Sequence, residues 1–277
     1  MPELPEVETV VRGLASRMTG RRVARLDLHR ADLRWPIPRG LKRKVEGREI
    51  KAVARRAKYI LIHLEDDGVL LLHLGMSGRL VIADAGNASP REPHDHVVFN
   101  LDDGTRIRFN DQRRFGVLDY LRKNALPAHP LLRELGPEPL DPAFTGEILA
   151  TALTGKRTPL KAALLDQQIV AGLGNIYVSE VLYHAGLSPR RLARTVTLER
   201  ARRLVLAIRD VLGRAIAAGG SSLRDYVQAS GELGYFQHQW AVYGREGEPC
   251  PGCDCGGGIR RIVQSNRSTF YCAKRQR

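Results

Sequence analysis

The chain of 277 residues carries 44 Lys+Arg against 30 Asp+Glu, giving a formal charge of +14 and an isoelectric point of about 10.1. That balance suits a phosphate-rich partner, and the length holds one large or two ordinary domains. No apolar run is long enough to cross a membrane and no basic start leads into an apolar signal segment, so a soluble, cytoplasmic protein without a membrane partner is expected.

A helix is expected at the start, where Val7, Val10, Val11, Leu14 and Met18 recur at helical spacing behind Pro2 and Glu3. Residues to about Leu121 then read as strands. Arg22 to Leu28 alternates, Glu49 to Leu64 and Val69 to Gly75 are rich in β-formers, and Asp102-Asp103-Gly104 joins two strand-like runs as a hairpin turn would. Prolines 127, 130, 137, 139 and 142 mark a linker. Beyond it, Phe144 to Leu153, Pro159 to Gln168, Asn175 to Ala185 and Leu198 to Ala218 read as helices, followed by a Gly/Ser-bearing stretch from Gly219 to Gly234 and a cysteine-rich end. The expected class is α+β, divided into an N-terminal domain over 1–124, a linker over 125–142, a helical domain over 143–239 and a terminal hairpin over 240–277.

All four cysteines lie between Cys250 and Cys272. Such clustering reads as a metal site in a reducing compartment, since a disulfide framework distributes its cysteines more widely. Two alternatives stay open from the residues alone: a tetrahedral thiolate zinc site, or a hairpin held by packing.

The first residues carry a chemical possibility of their own. Once Met1 is removed, Pro2 presents a secondary amine beside the carboxylate of Glu3. An α-amino group titrates near pH ~8, against ~10.4 for lysine, so a useful fraction is a free nucleophile at neutral pH. Attack on a carbonyl-like carbon gives an iminium whose nitrogen has no proton to lose, and it acts as an electron sink for eliminations. The bland alternative is that Pro2 merely opens a helix.

Further along stand Arg55-Arg56-Ala57-Lys58-Tyr59, His73-Leu74-Gly75-Met76-Ser77-Gly78, Asp111-Gln112-Arg113-Arg114-Phe115-Gly116, Ala171-Gly172-Leu173-Gly174-Asn175 and Asn266-Arg267-Ser268-Thr269-Phe270-Tyr271. Taken singly they also fit a basic sheet edge, core filler, a salt-bridged strand end, a glycine turn between helices and a hairpin strand. Together, and in this order after Met-Pro-Glu-Leu-Pro-Glu-Val-Glu-Thr, they resemble the formamidopyrimidine-DNA glycosylases, bacterial enzymes that remove oxidised purines.

The resemblance implies an N-terminal β-sandwich with a catalytic helix, a helix-two-turn-helix domain with a lesion-capping loop, and a zinc-finger hairpin. It implies a monomer that binds double-stranded DNA containing oxidised purines or abasic sites. The activity implied is bifunctional: release of 8-oxoguanine or formamidopyrimidines, then β,δ-elimination at the abasic site through a Schiff base on Pro2. Pro2 would be the nucleophile, Glu3 would assist sugar-ring opening, Lys58 would assist proton transfer, and Arg267 would bind the phosphates flanking the lesion. Met76 would fill the space left by the everted nucleotide, Arg113 would face the orphaned base and Phe115 would wedge beside it. His73, His94, Arg157, Lys161 and Asn175 complete the implied DNA contacts.

The terminal hairpin departs from the family pattern of two Cys-x2-Cys pairs. Arg275 stands where the fourth cysteine belongs, and an extra cysteine follows the first pair, so the ligand set implied for one structural zinc is Cys250, Cys253, Cys255 and Cys272. Two other readings remain: an endonuclease VIII-like enzyme for oxidised pyrimidines, which shares the Pro-Glu start, and a DNA-binding protein without catalysis.

Overall fold

A computed structural model describes residues 1–86, 90–221, 234–254 and 256–277. Cys255 and residues 222–233 of the Gly/Ser-bearing stretch, where the capping loop is expected, lie outside the described residues. The chain divides into two compact units. One comprises Met1–Arg133 with Ala218–Gln237, the other Glu134–Ala217 with His238–Arg277.

The first unit opens with helix α1 (Leu4–Met18), entered through Pro5 and capped by Glu3. Its apolar stripe, Val7, Val10, Val11, Leu14 and Met18, is buried. Eight strands follow: β1 (Val23–Leu28), β2 (Ile50–Arg56), β3 (Tyr59–Leu64), β4 (Gly68–His73), β5 (Arg79–Ala83), β6 (Asp95–Leu101), β7 (Arg106–Asn110) and β8 (Val117–Arg122), with a short helix α2 (Leu41–Val45) between β1 and β2. They form two antiparallel four-stranded sheets, ordered β1-β6-β7-β5 and β2-β3-β4-β8. Alternate residues such as Ile60 and Ile62, Leu70 and Leu72, Val97 and Phe99, and Ile107 and Phe109 meet in one core. This is the period-two pattern of a sandwich.

The run from Glu49 to Leu64, expected as one β-rich stretch, is two strands. Arg56 pairs with Tyr59 across a two-residue turn formed by Ala57 and Lys58, with Ala57 in the left-handed region at φ 51°. No Gly or Asn marks that turn, so turn chemistry did not reveal it.

The second unit holds α3 (Gly146–Leu153), α4 (Leu160–Leu165), α5 (Asn175–His184), α6 (Leu198–Ala217) and the hairpin β9 (Arg260–Gln264) and β10 (Arg267–Tyr271). The expected helix Pro159 to Gln168 stops at Leu165, where Gln167 takes over the turn. Its Nε2 donates to the carbonyls of Leu165 (3.0 Å) and Leu173 (2.9 Å), and its Oε1 accepts from Gly172 N–H (2.9 Å). One amide side chain thereby closes the loop between α4 and α5, beside the backbone bonds of Ile169 and Val170 to Asp166. The β9–β10 hairpin turns at Ser265 and Asn266, both with positive φ, as a tight primed turn requires. Among the described residues no helix is long and apolar enough to cross a membrane.

Candidate catalytic centre and nucleic-acid interface

In the first unit the start of α1 is held by a buried carboxylate that the sequence reading did not single out. Glu6 Oε2 accepts the N–H of Glu3 at 2.9 Å, and Glu6 Oε1 accepts the N–H of Ser221 at 2.8 Å. Glu6 is 2% exposed, so both oxygens work inside the protein, where such charge-assisted bonds are strong. They hold the buried Pro2–Glu3 start and Ser221 to one carboxylate. Met1 precedes Pro2 in the full chain and is half exposed (51%).

Glu8, two residues on, ties α1 to the turn that carries Lys58. Its carboxylate meets Arg55 Nε at 2.8 Å and Arg12 Nε at 2.8 Å, and Arg55 Nη1 donates to the Ala57 carbonyl at 3.1 Å. Burial pushes the Glu8 carboxyl up, but the hydrogen bonds and charges of Arg55 and Arg12 outweigh it and hold the group below its ordinary range. Arg55, which alone would pass for a solvated basic edge, is therefore a brace for the left-handed Ala57 and the nearly buried Lys58.

His73, at the end of β4, pairs with Tyr59; their rings lie 5.0 Å apart. Its Nδ1 accepts the N–H of Gly75 at 3.1 Å. Its pKa is pushed down to about 4, first by burial and then by the positive charges of Lys58, Arg34 and the chain's N-terminus. The Glu8–Arg55 ion pair and the Tyr59–His73 pairing bring helix α1, the Lys58 turn and His73 together. There His73 stays neutral at physiological pH.

The loops bearing Met76, Arg113 and Phe115 are joined by Asp111, which is fully buried. Asp111 Oδ1 accepts the Ser77 hydroxyl at 2.7 Å and Oδ2 accepts the Gly116 N–H at 2.8 Å. Ser77 Oγ in turn accepts the Arg113 N–H at 3.1 Å. Gly75 fits between them at φ 62°, where an added Cβ would lie 2.4 Å from the Phe115 carbonyl carbon. Met76 (41% exposed) and Phe115 (42%) thus stand out from a rigid base, and the Arg113 guanidinium stacks 4.8 Å from the Phe115 ring centroid. Exposed apolar side chains of this size, seated beside a cation, form a surface suited to stacked bases.

His94 is exposed, with φ 72°, and its ring lies 6.2 Å from that of His96. Between them, Asp95 is occupied by Arg108 (3.2 Å), Asn110 (2.9 Å) and the Glu92 N–H (2.9 Å), and His96 Nε2 meets the Asp111 carbonyl at 2.9 Å.

In the second unit Arg157 and Arg267 are exposed, Arg267 as the first residue after the hairpin turn. Lys161 is placed differently from a surface phosphate contact. It is 1% exposed, and its Nζ donates to the Ser268 carbonyl (2.9 Å) and Thr269 Oγ1 (2.7 Å). Asn175, opening α5, donates to the same Ser268 carbonyl (3.1 Å) and to the Tyr243 hydroxyl (3.3 Å), while its Oδ1 is buried without a partner. Lys161 and Asn175 therefore converge on the backbone next to Arg267. Glu180, 1% exposed, binds the consecutive N–H groups of Ala241 (2.8 Å), Val242 (3.0 Å) and Tyr243 (2.8 Å). Burial pushes its carboxyl up against the pull of those three donors.

The sulfurs of Cys250, Cys253 and Cys272 all lie within 4.8 Å of one another, with Cys253 and Cys272 at 3.5 Å. Tetrahedral zinc thiolates, with Zn–S near 2.3 Å, set sulfurs about 3.8 Å apart. Three corners of such a site are therefore formed. Burial pushes the Cys250 thiol up, but hydrogen bonds with Tyr183, the Gly252 N–H, Cys253 and Cys272 bring it down to about 7, toward the thiolate that a metal requires. Arg275 turns its guanidinium away from a ligand role, stacking 4.9 Å from the Tyr183 ring centroid and donating to the Gly252 carbonyl at 3.1 Å.

Two family models match the chain: the formamidopyrimidine-DNA glycosylase N-terminal domain over residues 1–118, and the formamidopyrimidine-DNA glycosylase H2TH domain over residues 135–227. The formamidopyrimidine-DNA glycosylase of Rhodospirillum centenum is 58% identical over all of both chains. The chain belongs to the formamidopyrimidine-DNA glycosylase family. The MutM (Fpg) protein of Thermus thermophilus superposes with a TM-score of 0.87 at 43% identity, covering 99% of this chain and 98% of that one. The Lactococcus lactis Fpg, solved with a DNA containing N7-benzyl-Fapy-dG, superposes with a TM-score of 0.90 at 34% identity over all of both chains. This family membership makes the protein a DNA-repair glycosylase and sets aside the reading of a DNA-binding protein without catalysis. The supports beneath its site, Glu6, Glu8, Arg55, Ser77, Asp111, Gln167 and Glu180, were not legible as such. Only Asp111 and Ser77 carried a signal, as polar residues inside glycine-bearing motifs.

Proposed function

We propose that the enzyme excises oxidised purines, 8-oxoguanine opposite cytosine and ring-opened formamidopyrimidines, from double-stranded DNA and cleaves the abasic site that results. What carries the reading is the geometry of the first unit that ties helix α1 to the Lys58 turn through Glu8 and Arg55 and sets His73 opposite Tyr59, the next residue. With Met1 removed, the Pro2 amine attacks the sugar C1′ as the bond to the base breaks and the base departs with its electron pair. The Pro2 nitrogen gives up its proton to solvent after the attack, Glu3 delivers a proton to the ring oxygen, and the nitrogen lone pair then opens the sugar and leaves an iminium on Pro2. Loss of a C2′ proton then expels the 3′ phosphate, and loss of a C4′ proton expels the 5′ phosphate. Lys58, at the buried turn after β2, assists these proton transfers, its amine taking up the protons lost from carbon.

Met76 enters the space of the everted nucleotide, Phe115 wedges the stack and Arg113 engages the orphaned cytosine at N3 and O2 with its forked donors. His73 and His94 line this surface. Arg157, Asn175 and Arg267 take backbone phosphates, and Lys161 positions Arg267 from within the second unit. One structural zinc is held by Cys250, Cys253 and Cys272, with Cys255 as the fourth ligand; its contribution is to cross-link the hairpin. The working arrangement is a cytoplasmic bacterial monomer with a catalytic domain over 1–124, a linker over 125–142, a helix-two-turn-helix domain over 143–239 and a finger over 240–277.

Borohydride trapping on an 8-oxoguanine duplex tests the assignment. The processed protein should form a stable covalent adduct through reduction of the iminium, and a form retaining Met1 should bind the duplex without one. Equal trapping by both forms would remove Pro2 as nucleophile.

A further inference from the structure

Within the second unit, arginines gather where charge repulsion argues against gathering them. The segment Arg191–Arg194 runs beside residues 156–160: Leu160 N–H donates to the Arg191 carbonyl (2.6 Å), Ala193 N–H to Thr158 (2.9 Å) and Arg194 N–H to Lys156 (3.0 Å). The exposed Arg157 lies inside this paired stretch. Arg191 Nη1 donates to Thr195 Oγ1 at 3.4 Å and Arg200 Nη1 to the Thr195 carbonyl at 3.3 Å, so two guanidinium groups meet at one threonine. Arg203 follows three residues after Arg200 on α6, on the same face of the helix. Among the described residues none of Arg191, Arg200 and Arg203 has a carboxylate within 4.0 Å, whereas Arg202 between them pairs with Glu147 at 2.6 Å.

Three features of this cluster are unfavourable for the protein on its own. Arg191 is pushed below its ordinary pKa, first by burial and then by the charges of Arg200 and Arg203. Its Nε is buried with no hydrogen-bond partner. Arg200 and Arg203 also stand near the start of α6, where the helix dipole is already positive. A single anion relieves all three.

We propose that Arg191, Arg200 and Arg203 form a phosphate site that grips the backbone of duplex DNA beyond the stretch held by Arg157. The proposal rests on the DNA-binding reading above and adds to it an outlying contact. Duplex DNA is favoured over an acidic protein because the cluster is continuous with the Arg157 segment and because guanidinium forks match phosphate oxygens in pairs.

The test uses the full chain, a 12-base-pair and a 30-base-pair duplex each carrying a stable abasic-site analogue, and the variant Arg191→Gln/Arg200→Gln/Arg203→Gln. On the long duplex the variant should bind at least tenfold more weakly at low salt, with a slope of log K against log salt shallower by about 2–3. The short duplex should bind as before, and single-turnover excision at saturating enzyme should not change. Arg203→Gln alone, at an exposed position, should give about one third of the slope change and guards against a misfolded triple variant. Identical slopes for variant and wild type on the long duplex would overturn the proposal, and so would equal losses on both duplexes, which would place the contact beside the lesion. Loss of poly-glutamate binding with DNA binding intact would assign the cluster to an acidic protein instead. Failure of the wild type to bind either duplex would instead count against the DNA-binding reading itself.

Discussion

The two units share the device of a buried carboxylate beneath a loop, at Glu6 and Asp111 in one and Glu180 in the other, but differ in the core that stands behind it. In the first, short loops rise from a sandwich core and are pinned by the buried carboxylates of Glu6 at the helix start and Asp111 beneath Met76 and Phe115, and by the half-buried Glu8 at the Lys58 turn. In the second, the hairpin bearing Arg267 has strands of five residues and a small apolar cluster of Tyr183, Ala241, Val242, Cys250, Ile259 and Cys272. It depends on Lys161, Glu180 and the cysteines. A large core lets polar side chains specify loop geometry on top of stability already present, whereas a hairpin of this size draws its stability from what packs against it and links it.

That contrast can be broken most severely at Cys272. Cys272→Ser, or removal of metal by a chelator, should abolish Arg267-dependent DNA binding while leaving the melting of the sandwich unchanged; metal analysis and differential scanning calorimetry check this. A finger that keeps its affinity without metal would mean that packing alone holds it. The counterpart in the first unit is Asp111→Ala, which strips partners from Ser77 and Gly116 together. Its cost is about 2–4 kcal/mol of stability, and single-turnover excision should fall about 100-fold because the loops no longer hold their geometry. Asp111→Asn, which retains shape and one acceptor, should recover some of both.

Lys161→Met should lower DNA affinity through the finger without altering excision at saturating enzyme, since it removes the donor that holds Ser268 and Thr269 beside Arg267. Fluorescence anisotropy against single-turnover rates separates the two effects. A smaller effect concerns Arg113. Arg113→Ala should narrow the cytosine-over-adenine ratio in excision by about 1–3 kcal/mol, while Phe115→Ala slows both.

The smallest effect concerns pH. His73 has a folded pKa near 4, below the unfolded value of about 6.5. Protonation therefore favours the unfolded chain as pH falls from about 6.5 to 4, and stability present above that window is lost within it. Replacing His73 with Gln should flatten this stretch of the stability curve, measured by thermal melting at pH 4.5 and 7.

Local pattern reached far in this chain. The α1 stripe, the alternation of Arg22 to Leu28 and the four principal helices follow from apolar spacing, because side-chain direction repeats every 3.6 or 2 residues whatever surrounds it, and the β-former-rich runs mark further strands. Most candidate site residues were marked for a different reason: they sit in short contiguous motifs whose order matches one family. What spacing could not show was the turn at Ala57 and Lys58, which uses no customary turn residue and is braced by Glu8 through Arg55, 47 positions away in sequence.

The sequence by itself determined the class of fold and the basic character, and it singled out Pro2, Glu3, Lys58, Arg113 and Arg267 as candidates. Only the tertiary structure decided that Lys161 points inward to the finger, that Arg275 stacks on Tyr183, and that Asp111 ties two loops together. The physical reason is burial: a lysine or aspartate reads as surface in any local window, and its desolvation is offset only by partners that folding brings from elsewhere in the chain.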